Sequence, residues 1–212
     1  MPKTITQIIF QKRNKNRCSI YLDEEFGFGL HLDVVLKFGL KKGDILTDEQ
    51  IEEILFAEDK KKAFERALRI LSYRDRSEKE MRTKLSKAGY DEKIINLVVK
   101  ELKRLQLIDE EKFARNYAKT KMVTRPAGEF LLKRELKHKG ISDEIIEETL
   151  KEIYQEKDQS QVAVELAKKK KLQLKNVDVK KAKKRMSDFL MRRGFNWEIV
   201  SEIIEQWDNL DD

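Results

Sequence analysis

The segment RSEKEMRTKLSKAGYDE, residues 76–92, contains the start of one helix, its end and the start of the next. Ser77 followed by Glu80 is a capping box, in which the serine oxygen accepts a backbone N–H hydrogen bond and the glutamate reaches back to the serine N–H. Gly89 can take the left-handed conformation that ends a helix, and Asp91 is a favourable N-cap for another. The segment therefore predicts a helix, a short glycine turn and a second helix.

The same turn occurs three times in the chain. LSKAGYD from Leu85, LKHKGIS from Leu136 and LMRRGFN from Leu190 each place a leucine four residues before a glycine, and the glycines are 51 and 54 residues apart. An apolar stripe typical of an amphipathic helix follows each turn in the same register. Its members are Ile94, Ile95, Val98, Val99 and Leu102, then Ile145, Ile146, Thr149, Leu150 and Ile153, then Ile199, Val200, Ile203, Ile204 and Trp207. A shared turn and a shared register predict an internal repeat.

A further helix precedes the turn in each repeat. Apolar residues at helical spacing begin near Ala63, and Asp109 and Asp158 stand before similar patterns in the second and third repeats. The expected fold is mainly α, with three-helix repeats at 63–107, 108–157 and 158–212. Tandem helical repeats bury their apolar faces against their neighbours, so an elongated and curved array is expected.

Residues 1–62 differ from the repeats in pattern. The β-favouring runs TQIIFQ and CSIYLD are separated by the polar segment KRNKNR, which predicts a hairpin. Residues 26–30 are a candidate third strand. The segments HLDVVLKFG and TDEQIEEIL read as short helices, and Thr47 with Gln50 forms a capping pair at the start of the second. The charged run EDKKK is expected to join this unit to the first repeat.

Several classes of protein are excluded by what the sequence lacks. It has no apolar run long enough to span a membrane and no apolar segment of a signal peptide at its N-terminus. Cys18 stands alone, which favours a reducing cytoplasm. His31 and His138 have no metal-ligand spacing, and none of the eight glycines belongs to a phosphate loop. We therefore expect a cytoplasmic protein without catalytic residues, cofactor or metal.

Positive charge is concentrated in the third repeat. Residues 166–193 contain twelve basic residues against Asp178 and Asp188, whereas the net charge of the whole chain is +7. Residues 119–139 are a milder case, with seven basic residues against Glu129 and Glu135. A solvated surface is the plainer interpretation of charge runs. Segregation of charge by helix favours a site for phosphates or for an acidic protein surface.

The helix, glycine turn and helix also match the outline of a helix-turn-helix that reads DNA bases. In that motif the first residues of the second helix contact the bases. Here those residues include Asp91 and Glu92, Asp143 and Glu144, and Glu198. Acidic side chains suit the positive end of a helix dipole but repel phosphates, so sequence-specific binding to duplex DNA is disfavoured.

Four segments resemble the motifs of one family and occur in the same order along the chain. They are ALRILSYRDRSEKEMRTKL from Ala67, LIDEEKFARNY from Leu107, GEFLLKRELKHKGI from Gly128 and FLMRRGF from Phe189. Together they resemble the RecX family, bacterial regulators of the recombinase RecA. Gln106 departs from the family pattern, which often has a glycine there, and this departure puts the geometry of the local turn in question.

The resemblance implies a non-enzymatic modulator, usually an inhibitor, that binds the RecA filament on single-stranded DNA and impedes strand exchange and ATP hydrolysis. It also implies a place in recombination, DNA repair and the SOS response, and a fold of tandem three-helix repeats. The residues that match family motifs are Arg74, Arg76, Ser77, Glu80, Gly140 and Gly194. We expect a monomer with no membrane contact.

The basic face of the second and third repeats is the candidate surface for the filament groove or its DNA. Its predicted members are Lys133, Arg134, Lys137, Lys168, Lys169, Lys170, Lys171, Lys180, Lys181, Lys183, Lys184, Arg185, Arg192 and Arg193. One alternative is a non-specific binder of single-stranded nucleic acid that acts without a recombinase. Another is a protein-interaction scaffold without any contact to nucleic acid.

Overall fold

A four-stranded antiparallel sheet begins the chain in the computed structural model, which describes residues 1–156 and 158–210. The sheet has the strand order β3-β2-β1-β4, and the helix α1 follows β3. The elements are β1 (Lys3–Gln11), β2 (Asn14–Leu22), β3 (Glu25–His31), α1 (Leu32–Phe38) and β4 (Ile45–Leu46). Ile5, Ile20 and Leu30 are fully buried in the core of this unit. The predicted hairpin and third strand are confirmed, and β2 begins within the polar run that was expected to be the turn.

The next helix, α2 (Asp48–Leu71), is longer than the sequence analysis expected. Its N-terminus has the predicted capping box, with the Gln50 amide donating to Thr47 Oγ1 at 3.3 Å and the Thr47 amide donating to Gln50 Oε1 at 2.8 Å. The run EDKKK is part of this helix, so the expectation of a charged joining segment between two helices is wrong. Residues 48–71 contain neither glycine nor proline, so nothing interrupts the helix. Within it, the buried Glu58 carboxylate accepts from the His31 amide at 2.6 Å and lies 2.8 Å from Arg17.

Eight further helices follow within residues 1–156 and 158–210, and the repeated glycines stand in the turns after three of them. They are α3 (Glu78–Ser86), α4 (Glu92–Arg104), α5 (Glu110–Thr124), α6 (Glu129–His138), α7 (Asp143–Glu156), α8 (Gln159–Leu172), α9 (Val179–Arg192) and α10 (Trp197–Glu205), and a 3₁₀ turn lies at Trp207–Asn209. The mainly helical fold with three-helix repeats and a small N-terminal strand unit is confirmed. The predicted boundary at Lys157 and the last two residues, Asp211 and Asp212, lie outside the described residues.

The chain divides into two compact units. The first unit comprises Met1–Asp75 and Glu80–Leu107, and the second comprises Arg76–Lys79 together with the chain from Ile108 onward. Within the second unit, one core is built around Phe113, Leu132 and Leu150 and another around Met186 and Phe195. The basic residues singled out above all belong to this second unit.

The three glycine turns have the predicted left-handed geometry. Gly89, Gly140 and Gly194 have φ values of +87°, +85° and +86°. In each turn the amide after the glycine donates to the carbonyl of the leucine four residues before it, at 3.3, 3.2 and 3.3 Å. This is the six-to-one hydrogen bond of the Schellman motif. Every residue of the apolar stripes is buried or half-buried, so the repeat predicted from the turns is present in the packing.

Gln106 keeps the turn geometry of the glycine it replaces. It has a φ of +55°, a left-handed value that costs a residue with a Cβ some strain. The Leu107 amide donates to the Leu102 carbonyl at 2.9 Å, as at the glycine turns. The departure from the family pattern therefore leaves the shape of the turn unchanged.

Candidate nucleic-acid interface

The basic residues of α9 form its outer face. Ala182, Met186 and Leu190 are buried on one side of the helix. The exposed side carries Lys180, Lys181, Lys184, Arg185 and Arg192, and Lys183 is half-buried at its margin. In the described part of the chain none of these residues forms a salt bridge with a carboxylate, so the charge of this face is open to solvent and to a partner.

The four lysines of α8 differ in their surroundings. Lys171 Nζ donates to the Trp207 carbonyl at 2.6 Å and lies 5.3 Å from the centre of that indole ring. Lys170 Nζ donates to Gln173 at 3.0 Å and lies 5.6 Å from the Phe189 ring. Lys168 is half-buried and Lys169 is exposed. Sequence analysis treated the four as one group, whereas Lys170 and Lys171 stabilise the third repeat.

Two of the three predicted residues on α6 are paired with the next helix. Lys133 forms a salt bridge with Glu147, which raises the pKa of its ammonium group. Lys137 lies 2.8 Å from Asp143, and this hydrogen bond lowers the pKa of that carboxyl. Arg134 points to a different side and is exposed. The acidic start of α7 therefore neutralises part of the basic face predicted on α6.

Close contact between two glycines positions the start of α6 on the last glycine turn. The Gly128 amide donates to the Arg193 carbonyl at 2.8 Å, and the Phe130 amide donates to the Gly194 carbonyl at 3.1 Å. A Cβ at Gly128 would lie 2.4 Å from the Gly194 oxygen, and one at Gly194 would lie 2.2 Å from the Leu131 nitrogen. Only glycine allows the two backbones to approach this closely. The contact brings Arg134 of α6 and Arg193 of the glycine turn to the same part of the surface.

A cavity of about 330 Å³ lies beside this contact. It is lined by Lys121, Arg125, Leu131, Arg134, Glu135, Phe189, Arg192 and Arg193. Five of these residues are cationic and one is anionic. We call this cavity the basic pocket. It unites Arg134, Arg192 and Arg193, three of the predicted residues, from two helices that are far apart in the chain.

The single carboxylate of the basic pocket is already bound within the protein. Lys121 Nζ lies 2.7 Å from Glu135 Oε1, and the Tyr117 hydroxyl donates to Oε2 at 2.9 Å. Burial acts to raise the pKa of Glu135, but these two hydrogen bonds outweigh it and the pKa is lowered. Glu135 is therefore an anion that pairs with Lys121 and attracts Arg125 more weakly, so one negative charge faces five positive ones in the pocket.

Of the described residues that line the pocket, Arg193 is the only half-buried arginine, since Arg125, Arg134 and Arg192 are exposed. Its guanidinium lies 5.5 Å from the centre of the Phe189 ring. Burial, with a smaller contribution from the positive charge of Arg125, lowers the pKa of this guanidinium. Among the residues that the structure describes, its buried Nη1 has no hydrogen-bond partner. A buried donor of this kind is rare in folded proteins and calls for a physical reason.

Sequence analysis missed two residues of the pocket, Lys121 and Arg125. They lie four residues apart at the end of α5, and Arg125 is the residue at which that helix ends. Basic residues in a last helical turn are common because they suit the helix dipole, so this signal alone did not indicate a site. The structure also leaves Lys180–Arg185 out of the pocket, since they lie in the first half of α9.

The residues of the family motifs have structural contacts. Arg74 donates to both oxygens of Glu80, at 3.0 and 3.1 Å. The Ser77 hydroxyl donates to the Lys139 carbonyl at 2.7 Å, which the predicted capping role of Ser77 did not anticipate. A Cβ at Gly140 would lie 2.8 Å from that of Lys79, and Arg76 is half-buried beside Ser77.

Within 1–156 and 158–210, no group of three histidine, cysteine, aspartate or glutamate side chains is placed to hold a metal ion. None of the helices in that part of the chain is long and apolar enough to cross a membrane.

The fold and the basic pocket define a helical-repeat protein with a surface suited to anions. Residues 3–47 match the family model of the regulatory protein RecX N-terminal domain, and residues 63–102, 109–150 and 156–204 match those of the first, second and third three-helix domains of RecX. The chain belongs to the RecX family of regulatory proteins, as its motifs predicted.

Individual relatives agree with the family models over nearly the whole chain. The regulatory protein RecX of Bacillus licheniformis is 39% identical over 204 residues, covering 96% of this chain and 77% of the relative. That of Clostridioides difficile is 35% identical over 209 residues, covering 98% and 97%. A crystal structure of a regulatory protein RecX has a TM-score of 0.77 at 31% identity and covers 96% of this chain and 99% of its own.

Proposed function

We propose that this chain is a non-enzymatic modulator of RecA, and an inhibitor of it, that binds the RecA filament on single-stranded DNA in its groove or at its end. Binding there impedes strand exchange and the ATP hydrolysis coupled to it. Membership of the RecX family supports the choice of partner. The observation that carries the proposal is the positive charge on the second unit, where the outer face of α9 and the basic pocket have no carboxylate partners in the described residues beyond Glu135.

The electrostatics of this surface suit a nucleoprotein partner. Cationic side chains that approach a DNA backbone release condensed counterions, which favours binding and makes it sensitive to salt. The five basic residues between Lys180 and Arg185 lie within two turns of one helix, so they can contact several charges of a partner together.

Direct reading of base sequence is not supported. The first turns of α7 and α10 carry Asp143, Glu144 and Glu198. Asp143 is moreover engaged by Lys137. These ends of the helices would repel the DNA backbone in a base-reading arrangement.

A charge-neutralised variant of α9 tests the proposal. We expect Lys180, Lys181, Lys183 and Lys184 all changed to Gln to inhibit RecA ATPase activity on single-stranded DNA more weakly than the unaltered chain. Inhibition should also depend less steeply on salt, by a power of about 0.7 for each lost phosphate contact to a single strand.

The matched control removes four exposed lysines from the first unit, at Lys12, Lys15, Lys41 and Lys42. It has the same net charge as the α9 variant, so a difference between the two variants reports position and not total charge. Inhibition that is unchanged in the α9 variant, or reduced equally in both, refutes the assignment of this face.

The alternative function is non-specific binding of single strands without a recombinase. The observation that favours it is the pair of exposed aromatic residues, Phe130 and Trp197, which lie close in the chain to Leu131 and Arg193 of the basic pocket. Binding of naked strands measured beside the ATPase assay separates the two functions. Inhibition that follows only the saturation of free DNA favours the alternative.

A further inference from the structure

The basic pocket has more positive charge than its own carboxylate can neutralise. Glu135 is held by Lys121 and Tyr117, so four guanidinium groups remain. In the described part of the chain, none of Arg125, Arg134, Arg192 and Arg193 forms an ion pair with a carboxylate. Repulsion among like charges disfavours such a cluster unless an anion binds between them.

Arg193 is held in place before any ligand arrives. Its backbone amide donates to the carbonyls of Phe189 and Leu190 at 3.0 Å, and its carbonyl accepts from the Gly128 amide at 2.8 Å. Its guanidinium lies over Phe189, and its buried Nη1 is a donor without a partner among the described residues. A fixed backbone and a stacked guanidinium reduce the freedom that the side chain would lose on binding.

Two exposed aromatic residues lie close in the chain to residues that line the pocket. Phe130 is 63% exposed and Trp197 is 61% exposed. The Phe130 amide donates to the Gly194 carbonyl, and Trp197 begins α10 three residues after Gly194. Exposed aromatic residues beside a positively charged cavity are the two components that bind single-stranded nucleic acids, by stacking with bases and by attraction of phosphates.

We propose that the basic pocket binds a backbone phosphate of single-stranded nucleic acid, with Phe130 and Trp197 stacking on bases next to that phosphate. This inference rests on the proposed function and names the part of the filament's DNA that the second unit would contact. The donors come from three places, the end of α5, the middle of α6 and the end of α9.

A phosphate suits this arrangement better than a carboxylate does. The oxygens of a phosphate are arranged tetrahedrally and can accept from donors in several directions, whereas a carboxylate offers two oxygens in one plane. An acidic peptide also has no bases to stack on the two aromatic side chains. The chemistry of the site therefore favours a polynucleotide over an acidic protein segment.

Tryptophan fluorescence provides a local readout for the test. The chain has two tryptophans, and Trp207 is only 6% exposed. We expect an oligothymidylate of about eight nucleotides, within the span that such sites cover, to quench Trp197 in the full chain. The variant Trp197→Ala should lose the quenching and bind roughly fivefold or more weakly, because a stacked base is lost.

The pocket itself is tested with Arg134→Gln combined with Arg192→Gln, since both side chains are exposed and neither is part of a core. We expect binding at low salt to weaken by roughly tenfold or more, as for lost hydrogen bonds to a charged group. The salt dependence should fall by a power of about 0.7 for one phosphate. The matched control, Lys112→Gln with Lys151→Gln, removes two exposed charges of the same unit that belong to neither the basic pocket nor the outer face of α9, and should weaken binding much less.

Equal weakening by the pocket pair and the control pair overturns the proposal, because binding would then follow net charge alone. Inorganic phosphate, added at constant ionic strength, should displace the oligothymidylate from the unaltered chain. If phosphate binds and the strand does not, the nucleic-acid assignment is overturned. If a hexaglutamate peptide binds more tightly than the strand and depends on the same two arginines, the phosphate assignment is overturned.

None of these measurements contains RecA, so the two proposals fail separately. Loss of the pocket assignment with RecA inhibition intact leaves the proposed function standing. Strand binding in the pocket without inhibition of RecA overturns the proposed function and leaves the pocket assignment standing.

Discussion

Changing Gly194 to Ala tests the contact that builds the basic pocket. Gly194 has a φ of +86°, and a Cβ there would lie 2.2 Å from the Leu131 nitrogen and 2.5 Å from its Cβ. The left-handed conformation costs a residue with a side chain about 1–2 kcal/mol. Displacing the backbone of α6 adds an overpacking cost of about 1–3 kcal/mol. We therefore expect the free energy of unfolding to fall by about 2–5 kcal/mol.

Gly89 provides the matched control, because its turn is the same and its surroundings are open. It has a φ of +87°, and a Cβ there would meet nothing within 4 Å. Gly89→Ala should therefore cost only the conformational part, about 1–2 kcal/mol. Gly140→Ala should lie between the two, since a Cβ there would be 2.8 Å from the Cβ of Lys79.

Urea unfolding followed by far-ultraviolet circular dichroism measures these differences. Fluorescence of Trp197 and Trp207 reports the second unit separately, since both residues belong to it. With a urea dependence of about 1–3 kcal/mol per molar, the midpoint of Gly194→Ala should lie about 1 M below that of Gly89→Ala. Equal destabilisation by the two substitutions would refute the account, because close contact would then contribute nothing beyond the turn.

Three other substitutions have expected outcomes. Ser77→Ala removes the hydrogen bond to the Lys139 carbonyl and should lower stability in urea by about 1–2 kcal/mol; no change would mean that the bond is replaced by water. Gln106→Gly removes the strain of a left-handed residue with a side chain, which stabilises the fold by about 1–2 kcal/mol. The greater backbone entropy of glycine in the unfolded chain opposes this by about 0.5–1 kcal/mol. The urea midpoint should therefore rise slightly, and a fall would contradict strain at Gln106. Glu135→Gln removes a carboxylate whose pKa is lowered, because the hydrogen bonds from Lys121 and Tyr117 outweigh the effect of burial. The variant should therefore be least stable relative to the unaltered chain at neutral pH, and this difference in stability should shrink as the pH falls below the ordinary pKa of 4.5. A difference in stability that is independent of pH would exclude this ion pair as the cause.

The repeat was predictable from the sequence because its signals are local. A left-handed glycine, an N-cap and an apolar stripe each act within a few residues, and the chain repeats them in one register. Asp91 accepts the predicted capping hydrogen bond at 2.8 Å, and Asn196 accepts the corresponding one in the third repeat at 3.0 Å. The continuity of α2 also has a local signal, the absence of glycine and proline from residues 48–71, whereas the contact of Glu58 with the strand that ends at His31 has none.

The basic site was only partly predictable, because the positions of charges depend on which helices meet. Sequence analysis identified Arg134, Arg192 and Arg193 among many basic residues but had no means to separate them from Lys133 and Lys171. The structure separates them through contacts over long distances in the chain, to Glu147 and to the Trp207 carbonyl. Gly128 likewise carries no local signal for a turn, since its role is to admit the backbone of Gly194.

We propose that this chain inhibits RecA by acting on the filament and not by sequestering free strands. The measurement that tests it most directly is the rate of ATP hydrolysis by RecA on single-stranded DNA during titration with this protein at near-physiological salt, with binding to the naked strand recorded in parallel. The account predicts inhibition well below one molecule per RecA protomer, at concentrations where the naked strand stays unbound. Inhibition that begins only when the free strand is saturated would contradict it.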